Sequence, residues 1–173
     1  MSTVIDGSAS VTINSGVILG ITSGTAVTLT TQTSVDFTSI PSWVKRITVM
    51  FQGVSLSSTA AILIQGGNSG GFVSTGYIST SNLVGQTNNT GGSSSTSGFL
   101  FFRNTAANES SGIITLLNLT GSTWVYSHTG KNNSLLAVIG GGNVSIPTLD
   151  RIRITTSSTD TFNAGSVNIL YEG

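Results

Sequence analysis

The chain has 173 residues, six Lys+Arg against six Asp+Glu, and no cysteine. Charged residues make up 7% of it, against about 25% in a typical domain, so it lacks the clustered basic side chains that replace counterions on nucleic acid. The missing cysteines exclude disulfides and thiolate metal sites. Disorder is excluded by the 38% hydrophobic content at zero net charge, the opposite of the disordered signature.

In chain order, the start MSTVIDGSASV has no basic region followed by an apolar one, and no signal peptide is expected. The uninterrupted apolar runs are a few residues long, far short of a membrane span. No window shows the helical 3.6-residue period. Short runs rich in Val, Ile and Thr recur instead, separated by Gly, Asn and Ser. They predict strands over 11–13, 17–21, 26–31, 35–37, 44–54, 61–65, 76–80, 98–103, 113–119, 123–127, 135–139, 151–156 and 166–171. This spacing predicts an all-β fold, an antiparallel β-sandwich of jelly-roll type. A parallel solenoid would need a short fixed repeat, and none is present. Residues 1–30 hold one charge, Asp6, and no aromatic side chain, which suits an extended arm or peripheral strands. Residues 31–173 then form a single sandwich domain. Residues 87–97, TNNTGGSSSTS, read as a mobile polar loop, and residues 66–71, GGNSGG, as a long turn.

Both prolines of the chain occur in Ser-Ile-Pro, at Pro41 and Pro147, and each stands shortly before a predicted strand. Proline fixes φ and cannot donate to a ladder, so it suits a strand lead-in. In the first copy, SIPSWVKRITVMF, strand alternation puts Ile47, Val49 and Phe51 on the core face. Lys45 falls at the rim of that face and Arg46 on the opposite one. In the second copy, SIPTLDRIRIT, Ile152 and Ile154 face the core while Arg151 and Arg153 face out. Three readings of Arg46, Arg151 and Arg153 are open: solvation with edge protection, ion pairs with Asp36, Asp150, Asp160 or Glu172 across a subunit interface, or an acidic-ligand site.

Catalytic constellations are hard to find. His128 is the only histidine, and with so many serines some Ser–His–Asp combination can always be written down, so none is specific. Six acids form no local pair of the glycosidase type. Gly140-Gly141-Gly142 lacks the spacing and the Lys of a phosphate loop and reads as a β-turn. No enzyme activity, metal or cofactor is expected. Trp124, Tyr126 and His128 alternate in TWVYSH and share one face of a strand. They are either core, an inter-subunit contact, or a stacking platform for a glycan, with Lys131, Asn132 and Asn133 near enough to hydrogen-bond a sugar.

Three stretches together carry a resemblance: VDFTSIPSWVKRITVMFQGVS, TGYIST, and LDRIRITTSSTDTFNAGSVNILYEG. They resemble modules of tailed-bacteriophage structural proteins of tail-fibre or virion type, over roughly residues 35–172. The resemblance implies a non-enzymatic, virion-exposed β-domain that self-associates, with no catalytic residues to carry over. By analogy with phage fibres and decoration proteins the oligomer expected is a trimer. The chain shows no long repetitive stalk, which points to a stand-alone piece such as a capsid-decorating (cement) protein or a small tail component. The implied partners are further copies of the chain, other virion proteins and, in an alternative receptor-binding role, a host cell-surface glycan; neither nucleic acid nor membrane is among them.

Overall fold

A computed structural model describes residues 11–13, 16–18, 20–85, 89–133 and 136–173. The described residues hold strands and turns and no helix. The first strands are β1 (Val11–Ile13), β2 (Gly16–Ile18), β3 (Thr22–Ser23), β4 (Val27–Thr28), β5 (Ser34–Phe37), β6 (Arg46–Leu56), β7 (Ile62–Asn68) and β8 (Gly71–Phe72). There follow β9 (Ile78–Val84), β10 (Asn89–Ser95), β11 (Phe99–Phe101), β12 (Ser110–Thr120), β13 (Thr123–Asn132), β14 (Leu136–Ser145), β15 (Arg151–Thr156) and β16 (Phe162–Glu172). Among the described residues β1 and β2 pair only with each other. The rest form an antiparallel sandwich. A nine-stranded sheet runs β10-β9-β14-β13-β12-β6-β16-β3, with β4 also on β16, and a five-stranded sheet runs β11-β7-β15-β5, with β8 on β7.

The core lies between the sheets and follows from strand period. In β6 the pattern Ile47, Val49, Phe51 is buried, as alternation requires, and Arg46 is exposed. From the other sheet Ile152 and Ile154 are fully buried. β3 and β4 lie along β16 at the margin of the larger sheet, and Leu29 just beyond them is buried in the core. Residues 1–10 of the expected arm lie outside the described residues.

The Ser-Ile-Pro echo marks a pseudo-symmetric pair of arches. One copy leads into β6 and the other into β15, in opposite sheets, and both isoleucines, Ile40 and Ile146, are buried. Each strand then ends in Ser-Ser-Thr (57–59 and 157–159) and crosses to the other sheet, β6 to β7 and β15 to β16. The two crossings bond reciprocally. Ser57 N donates to Thr161 O (2.9 Å) and Thr161 N to Ser57 Oγ (3.0 Å). Ser157 N donates to Ala61 O (2.9 Å) and Ala61 N to Ser157 Oγ (3.0 Å). Backbone groups that leave a ladder need partners, and here each arch supplies the other's.

Three expectations about loops are corrected. Residues 89–95 of the expected mobile loop form β10 and pair with β9. Backbone ladders need no apolar side chains, so composition concealed this strand. The expected turn at 140–142 is the middle of β14, paired on both sides. Glycine is required there: a Cβ on Gly140 would strike the His128 ring and the Thr80 carbonyl. The expected turn at 66–71 is shorter, because Gly66 and Gly67 belong to β7; a Cβ on Gly66 would collide with Ile146.

Candidate functional site

The aromatic alternation of β13 turns inward. Trp124, Tyr126 and His128 are all buried, with 3–4% of their surface exposed, which removes them as a ligand platform or a subunit contact. The physical reason lies one sheet away. β11 is the last strand of the smaller sheet, and the N–H groups of Leu100 and Phe102 have no ladder partner on that side. Ser79 and Ser81, two residues apart on β9, supply one: Leu100 N donates to Ser79 Oγ (2.8 Å) and Phe102 N to Ser81 Oγ (3.0 Å). Ser79 Oγ in turn bonds Tyr126 Oη (2.7 Å), and Ser81 Oγ bonds His128 Nε2 (3.0 Å). Tyr126 Oη also donates to Thr80 O (3.1 Å). Its ring and that of His128 stack at 5.7 Å, and Tyr126 stacks on Phe99 at 4.2 Å. Two parallel relays therefore close one side of the sandwich with side chains in place of backbone pairs. Asn132, considered above as a sugar donor, is also buried, bonded to Ser110 and to Asn104.

The Ser81–His128 pair superficially offers a nucleophile and a base. The electrostatics are wrong for that role. Burial pushes the imidazole down to about 4, because the protonated ring has no water to solvate it. Its Nδ1 is buried with no hydrogen-bond partner, where a triad places a carboxylate. Ser81 Oγ is occupied by the Phe102 amide. Burial likewise pushes the Tyr126 phenol up, and that of Tyr77 up to about 12. These are neutral groups holding a fold together.

The outward-facing arginines find their acids within the same chain. Arg46 on β6 meets Glu172, directly opposite on β16, at 3.1 Å. Arg153 on β15 makes two bonds of 2.7 Å to Asp36, opposite on β5, and its guanidinium lies 4.0 Å from the Phe72 ring centre. Arg151 bonds Asp150 at 2.6 Å. The hydrogen bond to Asp36 raises the Arg153 pKa, and the bond to Asp150 that of Arg151. Of the three readings left open for these arginines, ion pairing is what the structure shows, and with acids of the same chain: cross-strand register delivers Glu172 to Arg46 and Asp36 to Arg153, and Asp150 is the residue next to Arg151. Pairs this exposed contribute little stability.

The arginine that matters to the fold was missed. Arg103 is 1% exposed. Its Nη2 donates to the carbonyls of Thr105, Ala106 and Asn108, its Nη1 to Ala60 O, and its Nε to Ser110 Oγ. Desolvation lowers its pKa and the charge of Asp160 partly offsets this. The sequence signal was the position of Arg103 at the end of the apolar run FLFF, just before a polar turn whose carbonyls need donors.

Among the described residues the outer face of the larger sheet is a broad surface left open. Across six strands, from β16 to β9, register lines up four rows of outward residues. One row runs Glu172, Arg46, Leu117, Val125, Asn143, Ile78. The next holds Leu170, Thr48, Thr115, Ser127, Gly141 and Thr80, and the third Asn168, Met50, Ile113, Thr129, Ile139 and Asn82. The fourth, shorter row is Ser111, Lys131, Ala137 and Val84. The two middle rows carry no charge at all. Ile78 is 66% exposed, and Ile113, Leu117 and Ile139 are 46–49% exposed. Among the described residues no group of His, Asp and Glu could hold a metal, and no helix is long and apolar enough to cross a membrane. No family model, curated protein or solved structure matches the chain.

Proposed function

We propose that the chain is a non-enzymatic structural protein of a bacteriophage virion, a tail-fibre or capsid-decoration component exposed on the particle, which assembles with copies of itself. The observation that carries this reading is the open face of the nine-stranded sheet. Six strands at roughly 4.8 Å and four rows at roughly 7 Å make a face of about 800 Å², the area each partner contributes to a standard stable interface. Its middle is uncharged and one-third apolar, so a second copy meets no repulsion, and isolated sheet faces of this kind are rare on monomers. Charges stand only in the two outer rows, and Arg46 is already neutralised by Glu172. The phage assignment rests on the sequence resemblance, as does the expectation of a trimer.

The receptor-binding alternative loses its first candidate platform, since Trp124, Tyr126 and His128 are interior. Assembly is tested by light scattering of the purified chain at micromolar concentration, on wild type and on Ile139→Lys. The expected result is a mass that is a multiple of 17.7 kDa for wild type and a shift toward monomer for the variant. A wild-type mass of 17.7 kDa at every concentration overturns the assembly reading. Antibody labelling of intact phage particles tests the location, and absence of label on virions overturns that part.

A further inference from the structure

A cleft of about 610 Å³ opens where the two arches interlock, between them and β10. That volume falls within the range of small-molecule sites, roughly 300–1,000 Å³. Its chemistry is divided. Ala61, Leu100 and Phe102 contribute apolar surface; Leu100 belongs with Ala61 and Leu63 to a small cluster apart from the main core, and Phe102 is half-buried, packed against the main core while also lining the cleft. Hydroxyl residues line the sides: Ser93, Ser95 and Thr96 on one, Ser58, Thr59 and Ser158 on the other. The hydroxyls of Ser58, Thr59 and Thr96 make no hydrogen bond among the described residues.

One carboxylate lines the same space. Asp160 Oδ2 accepts the Ala60 amide at 3.0 Å, which fixes the side chain, and Oδ1 has no partner among the described residues. The Arg103 guanidinium, which also lines the cleft and bonds Ala60 O, supplies a positive charge that interacts with Asp160. The cleft therefore combines an aromatic ring, free hydroxyls and a pre-positioned acceptor with one charge of each sign.

We propose that this cleft binds a neutral pyranose. A sugar ring has an apolar C–H face and a rim of hydroxyls, and the cleft pairs those with the Phe102 ring and with Ser58, Thr59, Thr96 and Asp160 Oδ1. Stacking of a sugar on an aromatic ring and a hydroxyl donated to a carboxylate are the two strongest contacts such a ligand makes. A negative charge on the ligand meets Asp160, while Arg103 is buried and its donors are committed to Ser110 and to backbone carbonyls, so an anion is disfavoured. This inference is independent of assembly: the cleft is built from one chain and lies outside the six-stranded outer face.

The test is a two-dimensional amide NMR titration of the full chain with methyl glucoside, methyl galactoside, methyl mannoside and N-acetylglucosamine, and with glucuronate as the anionic control, into the tens of millimolar where single sugars bind. The expected result is that at least one neutral sugar shifts the amides of 58–60, 93–97 and 160, and glucuronate shifts them less. Asp160→Asn is expected to weaken binding about tenfold or more. Ser58→Trp, at an exposed position without a hydrogen-bond role, fills the cleft and is expected to abolish it while leaving the Asp160–Ala60 bond intact. The proposal is overturned if no neutral sugar shifts those amides, if glucuronate binds as well as the neutral sugars, or if the folded Ser58→Trp variant binds as wild type does.

Discussion

Lowering the pH from 7.5 to 4.5 is expected to destabilise this protein through one side chain, His128. In the folded chain the imidazole lies between the Tyr126 and Phe101 rings, 5.7 and 5.2 Å away, with Ser81 on Nε2. Burial holds its pKa at about 4. The unfolded chain exposes it at the ordinary value, about 6.5. The folded pKa is depressed, so the contribution is fully present above pH 6.5. It is lost as the pH falls from 6.5 toward 4, because only the unfolded state takes up the proton in that window. Between pH 7.5 and 4.5 the difference amounts to about 2.5 kcal/mol, a large share of the 5–15 kcal/mol typical of a whole domain. Urea unfolding of wild type and His128→Gln at several pH values isolates the term, since the carboxylates titrate alike in both. Gln can still bond Ser81 but cannot protonate, so its stability should fall less over this range, by about that amount. Identical slopes for the two proteins would refute the reasoning and place the His128 ring in contact with water.

Three further outcomes follow from the packing. Gly140→Ala should cost about 2–3 kcal/mol in a urea melt, because the added methyl meets the His128 ring and the Thr80 carbonyl within paired strands. Arg103→Met should cost about 3 kcal/mol, since it strips the buried guanidinium's bonds from Ser110 and from the part-buried carbonyls of 60, 105, 106 and 108; thermal unfolding measures it. By contrast Arg153→Ala should change stability by less than about 1 kcal/mol despite its two short bonds to Asp36, because the pair is about one-third exposed. Comparable losses for Arg103→Met and Arg153→Ala would contradict the difference in burial on which both expectations rest.

Much of the fold was legible before any coordinates. β6 shows why: Ile47, Val49 and Phe51 alternate with Arg46 and Thr48, and a period of two allows one answer about which face is buried. The same reasoning placed Trp124, Tyr126 and His128 on one face. It could not say whether that face met water or another sheet, since aromatic residues suit both. β10 was illegible for a different reason. Its residues, NTGGSSS, carry no periodic signal, and the strand exists because the free edge of β9 offers backbone partners.

The sequence by itself determined the class of the molecule: an all-β chain, nearly uncharged, without cysteine, with side chains sorted onto two faces wherever a strand alternates. Those are local properties, fixed by alternation and composition. Only the tertiary structure decided the partners. It paired Arg46 and Arg153 with acids on distant strands, joined the Ser-Ser-Thr crossings, and set Ser79 and Ser81 against the open edge of β11. It also brought Ser58, Thr96 and Asp160 to one cleft, although they lie 38 to 102 positions apart in the chain. Contacts over such separations depend on register and sheet order, which no local period encodes.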